Sequence, residues 1–180
     1  MKLLMSDSPA VFIAGTMQGS RRGAAQLTQG YREAIRHLVL THFPKANVLC
    51  PEQYMQQHLA SDEEAIRNDH AALASFVDID ATALSRPLQK LTGIFHELVD
   101  AAAASDMCIA WLPDHEASMG TAVEMYAAWR AGVPVIAVTE MRQNLAILSC
   151  ASLILPDLVS LGGYLLKEAM HHEHHITAPL

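Results

Sequence analysis

Met107-Cys108-Ile109-Ala110-Trp111-Leu112, Pro113-Asp114-His115-Glu116-Ala117 and Ser118-Met119-Gly120-Thr121-Ala122-Val123-Glu124 follow one another without a break and read as strand, loop and helix. The first run is apolar and strand-length, the second is polar and opened by proline, and the third starts with a residue type suited to a helix N-cap. A helix that begins just past the carboxyl end of a strand stands where open α/β sheets bind ligands. On that helix the neighbours of Glu124 at three and four residues are Gly120, Thr121, Ala127 and Ala128, so neither Lys nor Arg neutralises it locally. A carboxylate so placed is a candidate for chemistry.

Working outward, the same alternation recurs. Val11 to Gly15 is a short apolar strand, Thr16 to Gly23 a polar glycine-bearing loop, and about Gln26 to His42 a helical pattern. Asn47 to Cys50 reads as a second strand stopped at Pro51, Pro134 to Val138 as a fourth after the helix stop Ala131-Gly132-Val133, and Ala151 to Leu155 as a fifth. Leu158 to Met170 closes the chain as a helix, and Leu91 to Ala104 is a helix presenting Phe95, Leu98 and Val99 to a core. These elements predict a doubly wound α/β fold, a three-layer α/β/α arrangement around five parallel strands in the order 2-1-3-4-5. Residues 1–180 are expected to form one domain, with a helical insertion around 52–91 whose first turn is Asp62-Glu63-Glu64-Ala65-Ile66.

In that order the sheet direction reverses between the first and third strands, which opens a crevice and brings the loop Gly15 to Gly23 beside the loop Pro113 to Thr121. Candidate ligand contacts follow from this convergence. Gly15, Thr16, Met17, Gly19, Ser20 and Arg21 line the first loop, where glycine admits close backbone approach and Arg21 is suited to an anion or a sugar oxygen. Ser118 and the free amides behind it suit a phosphate or carboxylate, and Gly120 leaves room beside Glu124. Ala122, Met125, Tyr126 and Trp129 are read as the opposing core stripe of the helix.

Neither a Walker sequence nor the dinucleotide glycine fingerprint is present, so no nucleotide cofactor is expected. The histidines of His171-His172-Glu173-His174-His175 are adjacent in a polar tail rather than spaced as ligands, and no metal is assigned. With 19 acidic against 12 basic residues and a net charge of −7, the chain is a poor match for nucleic acid or an anionic membrane. Its three cysteines, Cys50, Cys108 and Cys150, sit in apolar runs as reduced, buried thiols would. Neither a signal-like N-terminus nor a stretch long enough to span a bilayer is seen, which reads as a soluble cytoplasmic protein.

Phe12-Ile13-Ala14-Gly15-Thr16-Met17-Gln18-Gly19-Ser20-Arg21 and Ser118-Met119-Gly120-Thr121-Ala122-Val123-Glu124-Met125 together resemble the nucleoside 2-deoxyribosyltransferase superfamily, and the likeness extends through Ala131 to Ile136. The resemblance implies that Glu124 attacks the anomeric carbon and carries the sugar covalently, as carboxylates do in retaining glycosidases. It also implies a second acid on the helix before the third strand, but the matching position holds Leu98. The nearest acids are Glu97 and Asp100, of which Asp100 is the candidate, with His96 behind it.

Transferases of the superfamily carry an aspartate six residues before the nucleophile, where this chain has Ser118. That serine resembles the branch of nucleoside 5'-monophosphate N-glycosidases (2'-deoxynucleoside 5'-phosphate N-hydrolases), since a serine and a helix N-terminus accept a phosphate that an aspartate would repel. The expected function is therefore hydrolysis of the N-glycosidic bond of a nucleoside 5'-monophosphate. Base exchange between deoxynucleosides and non-catalytic nucleotide binding are the alternatives. A related phosphoribohydrolase group, lysine-decarboxylase-like in sequence, differs by a double-glycine loop absent here. The resemblance further implies a homodimer or larger homo-oligomer, to which the segment Met141 to Leu145, including Asn144 as a substrate contact, and Ser149 would contribute.

Overall fold

The computed structural model describes residues 8–17 and 29–176, with side chains as far as residue 172. Five parallel strands form one sheet in the order β2-β1-β3-β4-β5, as the alternating pattern predicts. They are β1 (Ala10–Gly15), β2 (Asn47–Leu49), β3 (Met107–Leu112), β4 (Val135–Thr139) and β5 (Leu153–Leu155). The helices are α1 (Gly30–His42), α2 (Pro51–Leu59), α3 (Glu63–Ala72), α4 (Arg86–Ala103), α5 (Met119–Arg130), α6 (Leu145–Cys150) and α7 (Leu158–Ile176).

Alternate residues of the central strands feed two separate cores. Val11 and Ile13 of β1, with Met107 and Ile109 of β3, pack with Ile35 and Val39 of α1 and with Leu161 and Leu165 of α7. Phe12 and Ala14, with Cys108, Ala110 and Leu112, pack instead with Ile94 and Leu98 of α4 and Met125 and Ala128 of α5. Because strand side chains point alternately to opposite faces, a run such as Val11-Phe12-Ile13-Ala14 must be apolar at every position to be covered on both sides. The three cysteines are buried and free.

Several boundaries differ from the sequence expectations. Pro51 does end β2, and it also opens α2 at its first turn, a position that needs neither an amide donor nor φ freedom. The insertion is regular: α2 and α3 are joined and followed by short 3-10 turns, and α3 begins at Glu63, within the acidic segment expected to start a helix. Helix α4 starts at Arg86, five residues before the expected Leu91. Helix α6 was not expected, although Asn144 caps it through bonds from the amides of Ala146 and Ile147. On α5 the buried stripe is Thr121, Glu124, Met125 and Ala128, while Tyr126 and Trp129 are about half exposed; the expected core stripe is thereby corrected except at Met125. Among the described residues no helix is long and apolar enough to cross a membrane.

Candidate active site

The parallel register sets Gly15 opposite Trp111, and the Thr16 amide donates to the Trp111 carbonyl, so β1 and β3 end side by side. From there the chain leaves β1 toward α1 on one face and β3 toward α5 on the other, and the crevice opens between them. Gly15 is glycine for a packing reason. A Cβ there would stand 2.4 Å from the Tyr31 hydroxyl oxygen and 2.8 Å from two ring carbons. Tyr31 is held in turn by stacking on Trp111 at 5.9 Å between ring centroids. Thr16 is fully buried, with no partner for its hydroxyl among the described residues, and Met17 is half-buried. Gln18, Gly19, Ser20 and Arg21 lie outside the described residues.

Helix α5 begins where the sequence places it. The Ser118 side-chain oxygen accepts from the Thr121 amide at 3.3 Å and from the Thr121 hydroxyl at 2.9 Å, so it is a working N-cap. Both acceptor lone pairs are then used, and among the described residues the Ser118 hydroxyl hydrogen has no acceptor; it stands beside the amides of the first turn that lack intrahelical acceptors. Gly120 is half-buried, and the ring of Phe95 would be 3.5 Å from a Cβ at that position, an ordinary contact.

Glu124 follows on the buried side of α5 and is only 6% exposed. No described residue hydrogen-bonds its carboxyl. Burial pushes its pKa up to about 8, against which the guanidinium of Arg32 pulls downward. A carboxyl so poised is mostly protonated at neutral pH.

Arg32 is the residue that sequence reading missed. It is 2% exposed and occupies the buried register of α1 with Ile35 and Val39. Its Nη1 donates to the carbonyl of Ile13 at 2.8 Å, its Nη2 to that of Gly15 at 3.0 Å, and its Nε to the Gln29 side chain at 2.7 Å. The cause lies in the sheet. Pairing of β1 with β2 ends at Phe12 opposite Leu49, and the next rung would need an amide from Pro51, which has none. The guanidinium fills the gap left in the ladder. A charged residue at apolar-stripe spacing was the available sequence signal.

Asp100 is exposed and lies in the last turn of α4, toward the end of the sheet where β3 starts. It sits about 200° around the helix from the buried Leu98. Glu97, also exposed, accepts from the Tyr54 hydroxyl at 2.8 Å, and His96 is exposed. Among the described residues, Arg32 is a charged group that bears on the Glu124 carboxyl. Asn144 stands at the N-terminus of α6. It lines a depression of about 400 Å³ above β4 with His115, Glu140, Met141, Arg142 and Gln143. There Asp114 and His115 adopt left-handed backbone with φ of 51° and 56°.

No protein-family model matches the chain, and no curated protein matches it in sequence. Solved structures do match. A 2-deoxyribosyltransferase from Bacillus psychrosaccharolyticus is 15% identical over 86% of this chain and 91% of its own, with a TM-score of 0.53. A CMP N-glycosidase from Clostridium botulinum is 17% identical over 90% and 98%, with a TM-score of 0.43. A conserved protein from Enterococcus faecalis is 18% identical over 89% and 87%, also at 0.43. The sheet order, the crossovers and the likeness to the first of these show that the chain has the fold of a 2-deoxyribosyltransferase.

Proposed function

We propose that this protein hydrolyses the N-glycosidic bond of a nucleoside 5'-monophosphate. The observation that carries the reading is Glu124, a buried carboxyl without a hydrogen-bond partner among the described residues, on the helix that lines the β1–β3 crevice. In the proposed reaction a Glu124 oxygen forms a bond to the anomeric carbon as the carbon–nitrogen bond breaks, and the electron pair leaves with the base, which takes a proton from solvent. Water then attacks the same carbon as the bond to the Glu124 oxygen breaks and gives up a proton to solvent, releasing sugar 5-phosphate and the carboxylate. Ser118 and the first amides of α5 receive the phosphate, and Gly15, Thr16, Met17, Gly19, Ser20 and Arg21 are proposed as the contacts to sugar and base. Asn144, on the depression above β4, is proposed to contact the nucleotide of a neighbouring subunit.

Two neighbours of the reading stay in view. Sugar transfer to a second base uses the same first step. A nucleotide-binding protein without turnover is favoured by one observation, that His96, Glu97 and Asp100 of α4 are all exposed.

Chromatography of wild type and Glu124→Ala, incubated with ribo- and deoxyribonucleoside monophosphates and the matching nucleosides, separates them. Base release from nucleotides by the wild type alone supports hydrolysis, base exchange supports transfer, and an inert panel with saturable binding supports the third reading.

We further propose a homodimer or larger homo-oligomer built on the exposed apolar strip of Met119, Val123 and Tyr126 on α5 with Leu145 and Leu148 on α6. Sedimentation of wild type and Val123→Lys/Leu148→Lys tests it, a monomer in both ruling it out.

A further inference from the structure

We infer that Phe95 of α4 is the wall on which the base of the nucleotide stacks. The inference rests on the proposed reading of the crevice as a nucleotide site and names the part of the ligand that this residue takes.

Sequence spacing groups Phe95 with Leu98 and Val99 as core, yet of the three only Leu98 is buried. Phe95 is half-buried and belongs to neither of the two cores. Its ring lies across the first turn of α5 instead, with Cε2 at 3.5 Å and Cζ at 4.0 Å from the place a Cβ of Gly120 would occupy. Gly120 stands one turn before Glu124 on the same side of α5. Helical side chains lean toward the amino-terminal end of their helix, so that of Glu124 is directed toward the turn that Phe95 covers. Ser118 caps the same turn.

The position of α4 puts this ring beside the crevice. Ile94 and Leu98 pack with Phe12 and Ala14 of β1 and with Cys108 and Ala110 of β3, so α4 stands over the boundary of the two strands. The helix ends shortly before β3 starts, which leaves its amino-terminal half at the opposite edge of the sheet, where β1 and β3 end.

The ring is also unstacked. Tyr31 stacks on Trp111 and Tyr54 on His58, whereas the ring contact of Phe95 is with His96, tilted at 52° with centroids 6.4 Å apart. A half-buried phenyl with no stacked ring among the described residues keeps a face for a planar ligand. Of the three parts of a nucleoside monophosphate, the phosphate and the sugar hydroxyls call for hydrogen-bonding groups, which phenylalanine lacks. The base presents a π-face. Because every base has one, Phe95 contributes affinity without choosing among bases.

Calorimetric titration in a Glu124→Gln background, which prevents turnover, compares AMP, CMP and ribose 5-phosphate. Phe95→Leu is expected to weaken both nucleotides about tenfold or more while leaving ribose 5-phosphate within about twofold. Phe95→Tyr keeps the ring and is expected to hold all three affinities within about threefold. Equal weakening of all three ligands by Phe95→Leu, an unmoved nucleotide affinity, or the binding of none of them overturns the inference. Phe95→Trp gives a second reading that decides the matter if Phe95→Leu does not fold. Saturating AMP is expected to quench the added indole beyond any change at Trp111 and Trp129 in the parent, and no added quenching overturns the inference.

Turnover does not enter these titrations. Base-dependent binding beside an inert nucleotide panel would leave Phe95 as inferred and remove the proposed hydrolysis. Hydrolysis beside an affinity that Phe95→Leu does not move would do the reverse.

Discussion

Glu124→Gln should stabilise the protein, and by an amount that grows with pH. In the unfolded chain the carboxyl loses its proton near the ordinary glutamate value of 4.5, while in the folded protein burial holds the proton until about 8. Between those values the unfolded state binds fewer protons, so stability falls as pH rises. Below about 4.5 both states are protonated and nothing is lost; above about 8 both are ionised and the loss is complete. A rise from 4.5 to about 8 spans about 3.5 pH units, and at about 1.4 kcal/mol per unit the cost approaches about 5 kcal/mol. At pH 7 it is about 3 kcal/mol. Glutamine keeps the shape and cannot ionise, so the variant escapes the cost. Urea unfolding of both proteins at pH 5, 6, 7, 8 and 9 reads the difference directly, and subtraction removes the titration of carboxylates such as Asp62, Asp80 and Asp157, which hydrogen bonds hold below their usual range. A stability difference that is flat from pH 5 to pH 9 would refute the burial of an ionisable Glu124 carboxyl. A rising one would support a Glu124 carboxyl whose burial costs stability once it ionises.

Three further outcomes are expected. Gly15→Ala should lower stability by about 1–3 kcal/mol through overpacking against Tyr31, and Tyr31→Leu in the same chain should recover part of it in thermal melts. Ser118→Asp should keep the α5 cap and hence the melting temperature, while raising KM for nucleoside monophosphates about tenfold or more by repelling the phosphate; an unchanged KM would remove the phosphate from that helix end. Tyr164→Phe should be neutral or stabilising by up to about 1 kcal/mol in urea unfolding, since the buried Tyr164 hydroxyl has no partner among the described residues.

The legible parts of this fold are those that local physics encodes. The β3 run Met107–Leu112 is apolar at every position because both faces are covered, and its boundaries match the sequence reading. Ser118 declares the start of α5 because a serine oxygen satisfies the first free amides, and it does so here. Tyr126 and Trp129 misled because an aromatic at helical spacing looks like core, whereas the burial of α5 is decided by which side meets β1, β3 and α4. The short helix α6 was overlooked although Asn144 carried its cap signal, since six residues hold too little periodicity to read.

The sequence by itself determined the alternation of strands and helices, the capped helix bearing Glu124 and, through the handedness of crossovers, the strand order that opens the crevice. Only the tertiary structure decided what surrounds that carboxyl. It turned Asp100 away, because α4 buries Leu98 and thereby sets the direction of every other side chain on it. It brought Arg32 in, because the ladder of β1 runs out at a proline 19 residues further along the chain than the arginine that replaces the missing rung. Burial and charge at a point depend on all the elements that meet there, and no spacing along one segment contains them.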